Sequence, residues 1–175
     1  FIYVTHNQEV ALTLSDRIAV MDQGQVEQVA EPMEVYNEPG TEFVAKFLGE
    51  VNTISGTIER TDGTTAVVSQ NGVQLEGRTG EAVAAGDDGV FCVKSEALSI
   101  DPTSTAEGAA ITGTLTDEIF TGKNINFLVE SDQFVTEGDE LIVSEAADVG
   151  LDLSVGDSVT ISWDPADAHV FSEGD

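Results

Sequence analysis

The feature that most limits what this chain can fold into is a change of texture near residue 51. Beyond it, helical spacing of apolar residues stops. Short runs follow one another at 53–59, 66–70, 73–76, 89–94, 111–120, 125–129, 140–143 and 158–163, separated by Gly, Asp and Asn. Val159, Ile161 and Trp163 alternate with Thr160 and Ser162, and Ile125, Phe127 and Val129 alternate with polar neighbours. A period of two buries one face of a strand. Short strands at regular spacing predict a small barrel or sandwich.

Two phrases recur in the same order. Gly56-Thr57-Ile58 is echoed by Gly113-Thr114-Leu115, and Gly86-Asp87 ahead of 90–96 is echoed by Gly156-Asp157 ahead of 159–165. The echo predicts two related β-modules, intertwined or in tandem, although shared turn chemistry could produce the same pattern.

Residues 1–50 read differently. Phe1 to Thr5 is an apolar, β-branched and aromatic run, expected to be a buried strand, and one with nothing before it predicts that sequence is missing. His6-Asn7-Gln8 supplies a cap for a short helix through Ser15. Arg17 to Met21 and Val26 to Val29 form a hairpin about a turn at 22–25. Pro32 suits the first position of a helix, and Thr41 can cap another that buries Phe43, Val44, Phe47 and Leu48 and ends at Gly49.

Composition excludes several classes. The 175 residues carry 33 Asp and Glu against 6 Lys and Arg, a net charge of −27, yet 41% are hydrophobic, enough for a core. The acidity is even: 9 acids and 2 bases in residues 1–50, 24 and 4 in residues 51–175. Such a surface repels phosphate, so nucleic acid is not an expected ligand. Self-repulsion of this size is relieved by screening, which points to a saline interior. No D-x-[DN]-x-[DN]-G loop marks the alternative of cation capture. No run reaches the roughly 18 apolar residues of a membrane span, so membrane association is expected to run through a partner. The single Cys92 can form no internal disulfide and supports no thiolate metal site.

Chemistry is sparse. His6 directly follows the expected strand, at the end where ligands of open α/β sheets gather, so its imidazole could sense a terminal phosphate or simply occupy a loop. Cys92 reads as a small buried hydrophobe, Trp163 as a core anchor rather than a sugar platform, and His169 as structural or exposed rather than a ligand. Asp164 and Asp167 lie near His169 and could complete a site with it, but Pro165 between them favours a turn. Asp16 beside Arg17 reads as a helix-end or hairpin pair. A phosphate loop, G-x-x-x-x-G-K-[ST], is absent: Gly122-Lys123 precedes Asn124, and Asp117 stands where the first Gly belongs.

The wording of 3–24 resembles the switch-histidine segment of ABC-transporter ATPases. Glu31-Pro32-Met33-Glu34-Val35-Tyr36, Pro39 and 43–49 resemble the end of their nucleotide-binding domain in the importer branch for sugars, glycerol phosphate, polyamines and ferric iron. Residues 153–159 and 162–171 are similar to the closing strands of that branch's regulatory extension, a β-domain of oligonucleotide/oligosaccharide-binding (OB) type called TOBE. The resemblance implies a mainly β chain: an OB-like barrel domain over 51–175, preceded over 1–50 by the C-terminal α/β remnant of a P-loop ATPase domain. It implies the C-terminal portion of the ATP-hydrolysing subunit of an importer, with His6 facing the terminal phosphate in the full-length dimer. ATP and Mg²⁺ would serve the full-length parent and not this portion, which should be inactive alone. Implied partners are a second copy and the membrane permease, on the inner face of the cell membrane in the cytoplasm. Two residues depart from the family pattern: Asn7 replaces an Asp, and Lys94-Ser95-Glu96 replaces Arg-Pro-Glu. The rival reading is a small-ligand module for an oxyanion or sugar, which would need Lys94, Lys123, Arg60 and Arg78 to converge.

Overall fold

In the computed structural model, residues 1–80, 83–102, 110–131, 133, 136, 138 and 140–173 are described. The chain divides into two compact units, one ending at Gly49 and the other starting at Glu50.

The first unit holds α1 (Gln8–Leu14), the antiparallel hairpin β1 (Ile18–Asp22) and β2 (Gln25–Ala30), α2 (Pro32–Asn37) and α3 (Glu42–Phe47). Its helices begin where capping chemistry says they should. The Asn7 side chain accepts the N–H of Val10 at 2.9 Å, and the Thr41 hydroxyl accepts that of Val44 at 3.3 Å. Pro32 opens α2, where its missing N–H costs nothing. Ile18, Val20, Ala30, Val35, Val44 and Leu48 form the core, with Phe43 and Phe47 stacked against it. Phe1 to Thr5 corrects the sequence reading. The segment is not a strand, and Phe1, Ile2, Tyr3 and Val4 are exposed. A β-rich sequence still needs a neighbouring ladder for its backbone groups, and no described strand pairs with it.

The described residues of the second unit form ten strands: β3 (Val51–Thr61), β4 (Thr65–Gln70), β5 (Val73–Arg78), β6 (Asp88–Lys94), β7 (Leu98–Asp101), β8 (Ala110–Phe120), β9 (Asn124–Glu130), β10 (Leu141–Ala146), β11 (Ser158–Trp163) and β12 (Ala168–Ser172). One set closes into a barrel in the order β12-β5-β4-β3-β6; the other forms a five-stranded sheet, β10-β9-β8-β11-β7.

That order settles how the two echoed phrases relate. The first half of the unit makes β3 to β7 and the second makes β8 to β12, but each half gives its last strand to the other. β7 pairs with β11, and β12 pairs with β6 across five residues. A three-residue 3-10 turn precedes each exchanged strand, at Ser95–Ala97 and Pro165–Asp167. The modules are intertwined.

The echo holds atom by atom. Ile58 donates to the Asp87 carbonyl at 2.9 Å and accepts from Gly86 at 2.8 Å; Leu115 does the same with Asp157 and Gly156 at 2.9 and 2.8 Å. Each long strand shifts register just after that residue, between Ile58 and Arg60 and between Leu115 and Asp117. Gly56 and Gly113 are required at equivalent crossings. A Cβ on Gly56 would lie 2.5 Å from the Ser69 carbonyl oxygen, and one on Gly113 would lie 2.6 Å from that of Glu130.

One core runs through both modules, centred on Ile54, Ile58, Phe91, Leu115, Val143 and Ile161. Burying each such side chain contributes about 1.5–3 kcal/mol, so this shared interior dominates the stability of the unit. Two buried polar ties cross between the barrel and the open sheet. Trp163 on β11 donates its indole N–H to the Glu76 carbonyl on β5 at 3.0 Å. Asn52 on β3 exchanges two hydrogen bonds with the backbone of Ile142 on β10, at 2.9 and 2.7 Å.

Candidate functional site

His6 sits on a bend between Thr5 and the cap of α1, with its ring exposed. The bend is fixed locally. The Asn7 N–H reaches the Thr5 hydroxyl at 2.9 Å, the Asn7 side chain takes the Val10 N–H, and the Asn7 carbonyl takes that of Ala11 at 3.1 Å. His6 is thereby pinned by its neighbours while its imidazole stays free to meet a ligand. Asn7 supplies the cap that an Asp would, without the negative charge.

The remaining candidates have structural duties. Cys92 is 2% exposed, opposite Thr53 on β3 and His169 on β12. Trp163 packs its ring against Phe91 with centroids 5.3 Å apart, in addition to its bond to Glu76. Asp164 caps the turn before β12 by accepting the Ala166 N–H at 2.9 Å, and Asp167 donates its own N–H to the Asp164 carbonyl. His169 lies 3.3 Å from the Arg78 guanidinium and stacks on Phe171. Because Arg only donates, a hydrogen bond at this contact has Nε2 of His169 as its acceptor. Arg17 reaches across its hairpin to the Val29 carbonyl at 3.3 Å, while Asp16 is exposed. Gly122 and Lys123 form the turn between β8 and β9.

The four cations of the ligand-module reading have different engagements. Arg60 is paired with Glu76 at 3.4 Å, Arg78 meets His169, and Lys123 occupies the β8–β9 turn. Lys94 ends β6 half-buried; that burial pushes its ammonium down to about 8, with Glu96 pulling the other way. Next to it, Ser95 is buried and bonds Glu50 twice, N–H to carbonyl at 2.9 Å and hydroxyl to carboxylate at 3.2 Å. The Glu50 carboxylate also accepts from Asn126 at 2.9 Å. Lys94-Ser95-Glu96 therefore belongs to the junction between the modules. Among the described residues no cluster of three or more His, Cys, Asp or Glu side chains is arranged to hold a metal ion.

Sequence reasoning missed Asn52. An Asn inside a strand carries no periodic signal, and its partner lies in the other module.

Comparison with known proteins agrees with this anatomy. Residues 91–171 match the TOBE domain family model. Three similar curated proteins are spermidine/putrescine import ATP-binding proteins named PotA. The one from Vibrio cholerae is 36% identical over 167 residues, 93% of this chain and 43% of the relative. The one from Rubrobacter xylanophilus is 34% identical over 168 residues, 94% and 43%. PotA 1 of Pseudomonas aeruginosa is 38% identical over 130 residues, 74% and 35%. The chain thus spans less than half the length of these relatives. Among solved structures, the molybdate-binding protein ModG shares the fold, with a TM-score of 0.56 over 69% of this chain and 95% of that one at 16% identity.

Proposed function

We propose, from the premise that the chain belongs with the TOBE-bearing ATP-binding subunits of ABC importers, that it works as the C-terminal part of the ATP-hydrolysing subunit of a solute importer. The observation that carries this is similarity running through both units, over 93% of the chain, to subunits of that kind. Spermidine or putrescine, the solutes in the relatives' names, are the first cargo to test. The relatives extend well beyond the shared length, and a phosphate-binding loop and the Mg²⁺ carboxylate are assigned to that remainder.

Within this chain, His6 is assigned to the terminal phosphate of ATP. An exposed imidazole on a bend held by Thr5 and Asn7 is suited to donating a hydrogen bond to a phosphate oxygen and to orienting water beside it. ATP supplies the free energy; the chain supplies alignment. The β-rich unit is assigned to holding two copies together and to regulation, the permease being the third partner. Placement is then cytoplasmic, against the membrane through that permease.

The test is His6→Ala in an importer subunit carrying this segment downstream of a phosphate-binding loop. ATP turnover is expected to fall by about a hundredfold, the size of a lost transition-state donor, with nucleotide affinity retained. Unchanged turnover would remove His6 from the mechanism.

A further inference from the structure

The duplication provides an internal control for reading the surface of the second unit. Hairpins β3–β4 and β8–β9 occupy equivalent places in the two modules, each following the same register shift. Both turns are closed by a threonine hydroxyl on a strand carbonyl, Thr61 on Thr65 and Thr121 on Asn124, but the residues beside them differ. The first is polar and self-satisfied: Asp62 accepts the backbone N–H groups of Thr65 and Thr64 and the Thr64 hydroxyl at 2.8–2.9 Å, which holds its carboxyl well below the usual range. The second has an equally polar turn but carries two apolar residues at the end of β8. Ile119 is 45% exposed and Phe120 69% exposed at its end. The turn after β10 is tied to it through the Ala147 N–H and the Lys123 carbonyl, and exposes Val149 at 51%.

Nothing in the hairpin asks for Ile119 and Phe120. A fold that builds the same hairpin with Asp-Gly-Thr in one module has no structural need for Ile-Phe in the other. Exposed aromatic and aliphatic groups at a protruding tip are the anchors of protein–protein contacts. The charge around them selects the partner. Asp117, Glu118 and Asp148 are exposed beside the patch, and Glu145 flanks it on β10, against the one cation Lys123 at the turn. At this patch four carboxylates stand against one ammonium, so an anionic surface brought to the tip is repelled and a cationic one is drawn in.

We propose that the β8–β9 tip is a docking surface for a cationic protein partner, one presenting an apolar pocket rimmed by Lys or Arg. Phe120 and Ile119 fill the pocket while Asp117, Glu118, Glu145 and Asp148 pair with the rim. The inference stands independently of the assignment of His6.

The experiment uses the whole chain and a surrogate probe, a synthetic amphipathic helix with Leu on one face and Lys on the other. Amide shifts on titration should concentrate at 117–125 and 145–149, with 60–66 unmoved. Phe120→Ser combined with Ile119→Thr should weaken binding by about tenfold, as expected for truncated anchors, with an unchanged melting temperature. Thr61→Ser with Thr64→Ser on the other hairpin should leave affinity as it was. Shifts spread evenly over the acidic surface, or equal affinity in the tip variant, would overturn the proposal. So would tip-dependent binding to phosphatidylglycerol vesicles, or tip-dependent self-association in sedimentation.

Discussion

Asn52→Ala removes one of the two ties between barrel and open sheet. The wild-type side chain behaves as a one-residue strand, its amide nitrogen donating to the Ile142 carbonyl at 2.9 Å and its oxygen accepting the Ile142 N–H at 2.7 Å. β10 is the edge of its sheet, so those two backbone groups have no ladder partner on that side. Each net hydrogen bond is worth about 1 kcal/mol, and a buried group left unmet costs about 1–3 kcal/mol. Ile142 is half-buried, so water recovers part of that, and about 2–3 kcal/mol is the expected loss. Urea unfolding should show it as a lower midpoint at unchanged slope, and the Ile142 amide should exchange faster with deuterium. Asn52→Asp adds a sign. A carboxylate in this 6% exposed site keeps the acceptor, loses the donor and buries a charge. Its folded pKa is raised, so its stability relative to wild type should improve as pH falls and the protonated acid regains a donor. A midpoint shift below about 0.5 kcal/mol with unchanged Ile142 exchange would refute the tie, since surface-like changes fall in that range.

Lys94→Met tests the half-buried ammonium. Below pH 8 the lysine is charged in both states and the desolvation cost is fully present; between about 8 and the ordinary 10.5 the folded protein sheds its proton first and the cost fades. The full shift would amount to several kcal/mol, but with much of the side chain in water about 1 kcal/mol of stabilisation at neutral pH is expected for the variant, together with loss of the alkaline rise in stability. A variant no more stable at pH 7, or one that keeps that rise, contradicts this. Gly56→Ala and Gly113→Ala should each destabilise the unit by about 1–3 kcal/mol, because the added methyl meets a backbone oxygen that cannot step aside. Differential scanning calorimetry should show the same single transition lowered by either; two separable transitions would argue against the shared core. The even acidity predicts a melting temperature that climbs with KCl up to molar concentrations, and a flat salt dependence would dissociate the charge from stability.

Local chemistry was the legible part of this fold. Caps at Asn7 and Thr41, Pro32 at a helix start and the alternation of Val159, Ile161 and Trp163 are short-range signals, and the structure uses each of them. The echoed glycines pointed to two modules because a close backbone crossing leaves a residue-type mark. Long-range pairing was not legible. Strands β7 and β12 follow three-residue turns without a break in texture, and neither appears among the runs read from alternation. Their exchange is decided by partners elsewhere in the chain. The opposite error fell at Phe1 to Thr5, where strand-like residues lack a described sheet to join. At the candidate site, sequence supplied the identity of His6 through its surrounding words; the exposure and the Thr5–Asn7 bracing came from coordinates. The apolar tip was present in plain letters as Ile119-Phe120, but it becomes informative only against its polar twin.

The exchange of closing strands also has a temporal side. Because β12 is the stave between β5 and β6, the barrel begun at Val51 stays open along that seam until the last residues of the unit have been synthesised. A chain stalled before Ala168 would hold a finished sequence for its first module and an unfinished fold, with the inner faces of β5 and β6 open to solvent. Nascent chains of this kind fall to chaperones and proteases. On this wiring the barrel of the first half can close only after the closing strand of the second half is available.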